Sequence, residues 1–451
     1  MISYDLKKVS EIVNGELIGD PDVHIRGVHF DSRAAQPGML FAPIIGEKVD
    51  GHSFVAGLFE KGIAASFWQK SDPLAIPEGN IIVVDDVQSA LQKLAAHYRR
   101  TLSCHFIGVT GSSGKTSTKD IVYSVVSQKF RTCKTFGNQN NDLGVPLTVM
   151  NIDDDAEYMI CEMGINDIGV MDRLVTMAQP EITVISSIGP AHIAQLGSMD
   201  GIVEQKCLIN RDLGDGQCFY NQASYGLKKH LEEMNLRHKA IGYGFEQDCD
   251  IVAEDYQLND EGTSFSCRGR SYSIPILGRH QVLNSLAAIG IGEMLGIEYE
   301  KIRDGLAGVK LTPHRLQLKK IRDAVIIDDS YNCNPSSLVA SLQMVLQYNR
   351  SYRKTVVIGD MLELGETSPQ LHSGVADEID FRQFDDIVLV GKEIAALGEN
   401  LRSQGIEYHL FTDNAEVRQY LLPYLKKGNV LFFKASNGMH FASLIDSLEE
   451  E

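Results

Sequence analysis

The chain has 451 residues, 60 acidic and 42 basic, with a net charge of −18 and a pI of about 5.2. That balance excludes nucleic acid as a main partner, because a phosphate backbone calls for a basic stripe and none is visible. Hydrophobic residues at 43% and charged residues at 23% are ordinary for a soluble globular protein, and the length suggests about three domains of ~150 residues each. Eight cysteines without a CxxC pair argue for reduced thiols rather than disulfides or zinc, and no leader or apolar run of ~18 residues stands out. The expectation is a cytoplasmic monomer without membrane insertion.

The first unit, residues 1–100, reads as a small α/β domain. Its strand-like segments are Val23–Val28, Met39–Phe41 and Asn80–Val84, and Ala90–Tyr98 reads as a closing helix. The second unit, residues 101–312, opens on a β-rich run (Phe106, Ile107, Val109). Thr110-Gly111-Ser112-Ser113-Gly114-Lys115-Thr116-Ser117-Thr118 follows, and then an amphipathic stretch with Ile121, Val122, Val125 and Val126. Strand, glycine-rich turn and Gly-Lys-Thr opening a helix is the layout of a phosphate-binding loop. The glycines let backbone N–H groups approach phosphates, the lysine contacts the outer phosphates, and the threonine can ligate Mg²⁺. The usual spacing places a first glycine at position 109, where Val109 stands, so Gly111 and Gly114 anchor this loop.

Further along, Gly137-Asn138-Gln139-Asn140-Asn141-Asp142-Leu143-Gly144 is dense in amides, and its composition fits an ordinary Asn/Gly loop as well as a ligand loop. Tyr158–Cys161 is strand-like, and Glu162 at its end is suited to hold Mg²⁺ or its waters. A third strand, Ile182–Ser186, leads to His192, whose place at a strand end favours a metal role. Lys206 lies in a helical segment and by itself reads as a surface lysine. Arg279 to Ile291 reads as a helix on which His280 and Asn284 share one face.

The third unit, residues 313–451, begins with Pro313-His314-Arg315, where an arginine could reach a phosphate. Strands are expected at Ala324–Ile327, Thr355–Ile358, Asp386–Val390 and Val430–Phe433, each followed by a helix-like segment. The first of them ends in Asp328-Asp329-Ser330-Tyr331-Asn332-Cys333-Asn334-Pro335. Strand–helix alternation implies parallel sheets with ligands at the carboxyl ends of the strands. The fold class is therefore α/β in three domains: a small N-terminal domain, a central phosphate-loop domain and a Rossmann-like C-terminal domain. Glu449-Glu450-Glu451 reads as a solvated end.

Together and in this order, these motifs resemble the Mur ligases, ATP-dependent amide-forming enzymes of peptidoglycan synthesis. Asp31-Ser32-Arg33, Pro37-Gly38-Met39-Leu40-Phe41 and Asp50-Gly51-His52-Ser53-Phe54 are similar to that family's uridine-nucleotide-binding domain. Asn140–Pro146, Asp328–Pro335 and Gly359-Asp360-Met361-Leu362-Glu363-Leu364-Gly365 narrow the likeness to members that join UDP-N-acetylmuramoyl-tripeptide to D-alanyl-D-alanine.

The resemblance implies that Gly111, Ser112, Ser113, Gly114, Lys115, Thr116 and Ser117 bind ATP phosphates, with Mg²⁺ on Thr116 and Glu162 and a second Mg²⁺ on His192. It implies carbamylation of Lys206, which would turn a cation into a carboxylate-like metal ligand. Asn284 would contact adenine, Arg315 the γ-phosphate, and Asp329 with Asn332 the ribose region. Asp31, Ser32, Arg33, Asn140, Asn141, Asn334 and Lys434 would bind substrate. Lys115, His192, Lys206 and Arg315 would carry catalysis, completed by closure of the C-terminal domain. Many relatives carry Lys-Gly-Ser-Arg where this chain has Lys434-Ala435-Ser436-Asn437. That departure puts in question how the incoming amine is gripped, and a paralogue joining a different amine to a different carboxylate is the alternative.

Overall fold

The computed structural model describes residues 1–46, 49–259 and 262–449, so Glu450 and Glu451 of the acidic end lie outside the described residues. The chain packs as two compact units. One is Met1–Ile188 with His192–Gly242, and the other is Gly189–Ala191 with Tyr243–Glu451.

The first unit begins with a five-stranded sheet in the order Glu16–Ile18, Ile81–Val84, Ala65–Gln69, Leu40–Phe41, Val28–His29. All neighbours are parallel except the first pair. Helix Val87–Arg99 closes it. Asp86 accepts a hydrogen bond from the Ser89 N–H at 2.7 Å to cap its start, and Val87, Leu91, Leu94 and Ala95 bury one face. The strand expected at Val23–Val28 is broken in two. His24–Arg26 pairs with Ser3–Asp5, while Val28–His29 joins the larger sheet. Gly27 makes the break with φ +85, where a Cβ would lie 2.9 Å from Met1 Sδ.

The second sheet of this unit is parallel, in the order Gln217–Asn221, Ile182–Ile185, His105–Thr110, Tyr158–Glu162, Thr132–Lys134. Helices cover such a sheet on both faces, which is why its strands are continuous apolar runs: Ile107, Val109, Ile160 and Val184 are all fully buried. The phosphate-loop strand sits centrally, so the segments leaving the carboxyl ends of three adjacent strands open on one edge.

The second unit starts with an antiparallel meander, Ile251–Asn259, Gly262–Cys267 and Arg270–Ile274, which strand–helix alternation did not anticipate. Helices Arg279–Met294 and Tyr299–Ala307 follow. A six-stranded sheet then runs in the order Gln317–Ile321, Ala324–Asp328, Asn429–Lys434, Arg353–Gly359, Asp386–Val390, His409–Phe411. Its last five strands are parallel, as expected, but Gln317–Ile321 forms an antiparallel hairpin with Ala324–Asp328 around Arg322 at φ +53. Helix Phe441–Glu449 packs Phe441, Leu444, Ile445 and Leu448 against Leu431 and Phe433. Leu444→Ala is expected to cost about 2–3 kcal/mol in chemical denaturation, because it leaves a cavity where little can collapse. Among the described residues no helix is long and apolar enough to cross a membrane.

Candidate active site

The strand His105–Thr110 delivers the chain into Gly111 at φ +148 and Gly114 at φ +82, and the helix Lys115–Val126 starts at once. Val109 is a buried strand residue, so a glycine there would lie outside the loop; the two left-handed glycines sit where the turn needs them. The loop is cross-braced to the neighbouring strand end. The Ser112 N–H donates to Ser187 O at 2.7 Å and the Ser113 N–H to Ser187 Oγ at 3.0 Å, while Ser186 Oγ donates to Ser113 O at 2.6 Å. A Cβ on Gly111 would lie 2.1 Å from Ser186 Oγ. Gly111→Ala is therefore expected to weaken nucleotide binding about tenfold or more, read by fluorescence titration with an ATP analogue.

Glu162 ends the adjacent strand with its carboxylate buried. Oε1 accepts from Thr116 Oγ1 at 3.1 Å and from Asn140 Nδ2 at 2.8 Å. Oε2 has no hydrogen-bond partner and lies 3.8 Å from Lys119 Nζ. A buried, orphaned carboxylate oxygen beside a threonine hydroxyl is a donor set suited to a hard divalent cation, so Thr116 and Glu162 fit Mg²⁺. Lys119 and Thr135 belong to this cluster and escaped the sequence reading: the Glu162 N–H donates to Thr135 Oγ1 at 2.9 Å, and Lys119 Nζ to Thr135 O at 3.1 Å. The available signal was a lysine four residues past Lys115, on the face leading into Ile121 and Val122.

Lys206 is the largest departure from the sequence reading, which took it alone for a surface residue. Helix Met199–Cys207, capped by Ser198, buries it completely, and its Nζ donates to Gly111 O at 3.1 Å. Lys115 Nζ donates to the same carbonyl at 2.8 Å. Burial and the Lys115 charge drive the Lys206 pKa well below that of an ordinary lysine. His192, at φ +59 before the short helix Ile193–Leu196, has its pKa lowered by partial desolvation and by the charges of Lys206 and Lys115. The structure thus brings Lys115, Thr116, Glu162, Lys206 and His192 to one sheet edge, with positive charge concentrated at the phosphate loop.

Other predicted residues have local duties. Asn141 Oδ1 accepts the N–H groups of Leu143 and Gly144, turning the chain into helix Gly144–Met150. Asp31 and Arg33 form a bidentate pair that leaves Arg33 largely exposed, and the arginine's hydrogen bonds hold the Asp31 carboxyl down at about 2. Ser32 lies between them, partly exposed.

In the second unit, Asp329 Oδ1 accepts the Leu316 N–H at 3.3 Å, and Oδ2 accepts from Ser341 Oγ at 2.8 Å and from Lys434 Nζ at 2.5 Å. Lys434 Nζ also reaches Asn332 O at 3.2 Å. Lys434 is therefore a buried counter-ion of Asp329 and of a strand end, where the sequence reading had it gripping substrate. Asn334 caps helix Pro335–Gln347 in a reciprocal box with Ser337, so its side-chain oxygen is committed to backbone. Arg315 stacks over Tyr331 with its guanidinium carbon 4.1 Å from the ring centroid, and its Nε is buried without a partner. His314 at φ +64 and Leu316 at φ +50 flank it, strained backbone that aims the arginine. Asn284 is buried and donates to Gln281 Oε1 at 3.0 Å. On the same helix His280 is pushed down to about 4 by burial, partly offset by Asp329.

Comparison with known proteins gives matches along nearly the whole chain. Residues 24–99 match the Mur ligase family catalytic domain, 109–292 the Mur ligase middle domain, and 314–437 the Mur ligase glutamate ligase domain. The UDP-N-acetylmuramoyl-tripeptide–D-alanyl-D-alanine ligase of Bacillus subtilis (strain 168) is 36% identical over 460 residues, covering 100% of this chain and 99% of the relative. Its Escherichia coli (strain K12) counterpart is 29% identical over 100% and 99% of the two chains. A crystal structure of MurF from Acinetobacter baumannii superposes with a TM-score of 0.90 at 29% identity over the full length of both chains. MurF from Thermotoga maritima in complex with ADP gives 0.82 at 25% identity, over 94% and 97%. Family matches over residues 24–99, 109–292 and 314–437, with a full-length relative 36% identical, place the chain in the Mur ligase family, as an ATP-dependent, carbon–nitrogen-bond-forming ligase of peptidoglycan precursor synthesis.

Proposed function

We propose that this enzyme joins UDP-N-acetylmuramoyl-tripeptide to D-alanyl-D-alanine, acting as a cytoplasmic monomer. The observation that carries the reading is the likeness over the whole length to relatives named for that reaction. Both flanking domains match as well as the ATP-binding core, and in a ligase of this layout substrate choice is delegated to them.

Lys115 and the amides of Gly111 to Ser117 hold the phosphates of ATP, with the helix N-terminus adding positive potential. Thr116 and Glu162 hold one Mg²⁺, which the orphaned Glu162 Oε2 supports, and His192 with Lys206 serves a second. When bound, the cation neutralises charge on the transferring phosphoryl group. Only a neutral amine reacts with CO₂, so the lowering of the Lys206 pKa by burial and the Lys115 charge supports carbamylation. Asn284 meets the adenine, Asp329 and Asn332 the ribose region, and Arg315 the γ-phosphate. Asp31, Ser32, Arg33, Asn140 and Asn141 face the uridine-nucleotide substrate. The tripeptide carboxylate attacks the γ-phosphorus to give an acyl phosphate and ADP. The dipeptide amine then attacks the acyl carbon and phosphate leaves. The protein contributes position and preorganised charge.

The test is an ADP-release assay with the tripeptide nucleotide and a panel of amines and dipeptides. D-alanyl-D-alanine is expected to be preferred by a kcat/KM ratio of about 10²-fold or more over L,L-dipeptides and single amino acids. Preference for another amine overturns the substrate assignment and leaves the paralogue reading standing.

A further inference from the structure

The cluster Asp50, His52 and Asp72 has the spacing of a cation site, its ligand atoms lying within 4.8 Å of one another. The hydrogen bonding excludes it. His52 Nε2 accepts the Gln69 N–H at 3.1 Å, so Nδ1 carries the ring proton and points it at Asp50 Oδ1, 2.7 Å away. A ring nitrogen that carries a proton has no lone pair for a metal.

The carboxyl edge of the six-stranded sheet carries a stronger candidate. Its acidic groups are nearly all committed. Asp328 faces His314, Lys319 and Ser330, and Asp329 pairs with Lys434. Asp360 accepts the N–H groups of Lys392 and Ile394, and Glu393 accepts from Ser368. Among the described residues, the loop after Arg353–Gly359 carries two exposed carboxylates with no hydrogen bond or ion pair, Glu363 and Glu366, and Glu363 is the one in a strained conformation. It is exposed, and it has φ +65, a conformation a β-carbon disfavours. A free surface loop would relax from it, but the residues leading into this one are tied down. The Met361 N–H donates to His372 Nε2 at 2.9 Å, the Leu362 N–H to Ser436 Oγ at 2.9 Å, and the Ser436 N–H to Asp360 O at 3.1 Å. His372 is fully buried, and its Nδ1 lies 2.8 Å from Ser368 O, which can only accept. Nδ1 is therefore the donor and Nε2 the acceptor, and the ring is held between two backbone groups. Gly359 and Gly438 let the two strand-end segments close together: a Cβ would lie 2.7 Å from Ala435 Cβ and 2.9 Å from Leu362 Cδ1, respectively.

We infer that the loop Asp360–Gly365 is the ammonium-recognition element for the incoming amine, with Glu363 as the specificity-determining carboxylate and His372 and Ser436 as positioning residues. The inference rests on the proposed ligase reading. It accounts for a site in which Lys434 is consumed by Asp329 and no arginine follows Ser436. The substrate entering last carries a cationic amine, and an exposed, unpaired carboxylate on a tethered backbone at the strand ends is the complementary group.

The test is steady-state ADP release by full-length Glu363→Gln and Glu363→Ala, varying D-alanyl-D-alanine at saturating ATP and tripeptide nucleotide. The expected result is a dipeptide KM raised about tenfold or more, with the other two KM values within about twofold of the parent. His372→Ala and Ser436→Ala are expected to raise the same KM, and His372→Gln, which keeps an acceptor, to restore part of it. Matched thermal melts separate positioning from unfolding. An unchanged dipeptide KM in both Glu363 variants overturns the inference even if the parent uses D-alanyl-D-alanine. If the parent prefers another amine, the substrate reading fails instead, and the Glu363 variants are scored on that amine by the same criterion.

Discussion

Lys115→Ala is expected to lower kcat/KM for ATP-dependent phosphate release by about 10³-fold or more, equivalent to about 4 kcal/mol of transition-state stabilisation. Phosphoryl transfer asks little covalent chemistry of a protein, so a charge positioned on the outer phosphates is among its largest contributions. The Lys115 ammonium donates to the carbonyls of Gly111 and Ser112, so a loss of loop stability has to be told apart from a loss of catalysis. Phosphate release and a thermal melt on the same preparation separate the two effects. Retained turnover with an unchanged melt removes the phosphate-loop assignment.

Lys206 gives the second large effect, of two kinds. Lys206→Ala is expected to lose activity by about 10³-fold and to recover part of it with added formate or acetate, because a small carboxylate can occupy the place of a carbamate. An unaffected variant rules out the role. In CO₂-depleted buffer, Lys206→Met is expected to raise stability by about 1 kcal/mol or more, since an ionisable lysine buried beside the Lys115 charge is held at a cost to the fold. The sign with pH follows from the lowered pKa. The folded state gives up the Lys206 proton at lower pH than the unfolded chain, so its cost is complete below the folded value. The cost fades as pH rises toward the unfolded value of about 10.4. The stability gap between variant and parent should therefore narrow from neutral to alkaline pH, and a gap that widens contradicts the burial argument.

How much of this could be read from the chain follows the distance over which each feature is decided. The phosphate loop's layout was legible because strand, glycines, lysine and helix are contiguous; Glu162 could be placed because it ends an apolar strand, and His192 because it follows one that closes at Ile185. The strands at Ala324–Asp328, Asp386–Val390 and Asn429–Lys434 were found within a residue or so for the same reason. The break at Gly27 was missed, since a glycine inside a β-like run does not say which sheet each half will join. The meander over Ile251–Ile274 was missed because alternation of strands and helices was carried past the point where it stops.

The sequence alone determined the parts whose chemistry is local: a triphosphate-binding loop, its acidic partner, α/β domains in a given order and, through the ordered motifs, the family. Only the tertiary structure decided what each isolated charge does. Lys206 meets Gly111 across 95 positions, and Lys434 meets Asp329 across 105. A lysine's one-dimensional surroundings do not record whether water or protein will surround it. Burial, and with it proton affinity and reactivity, is set by which distant segments the fold brings together.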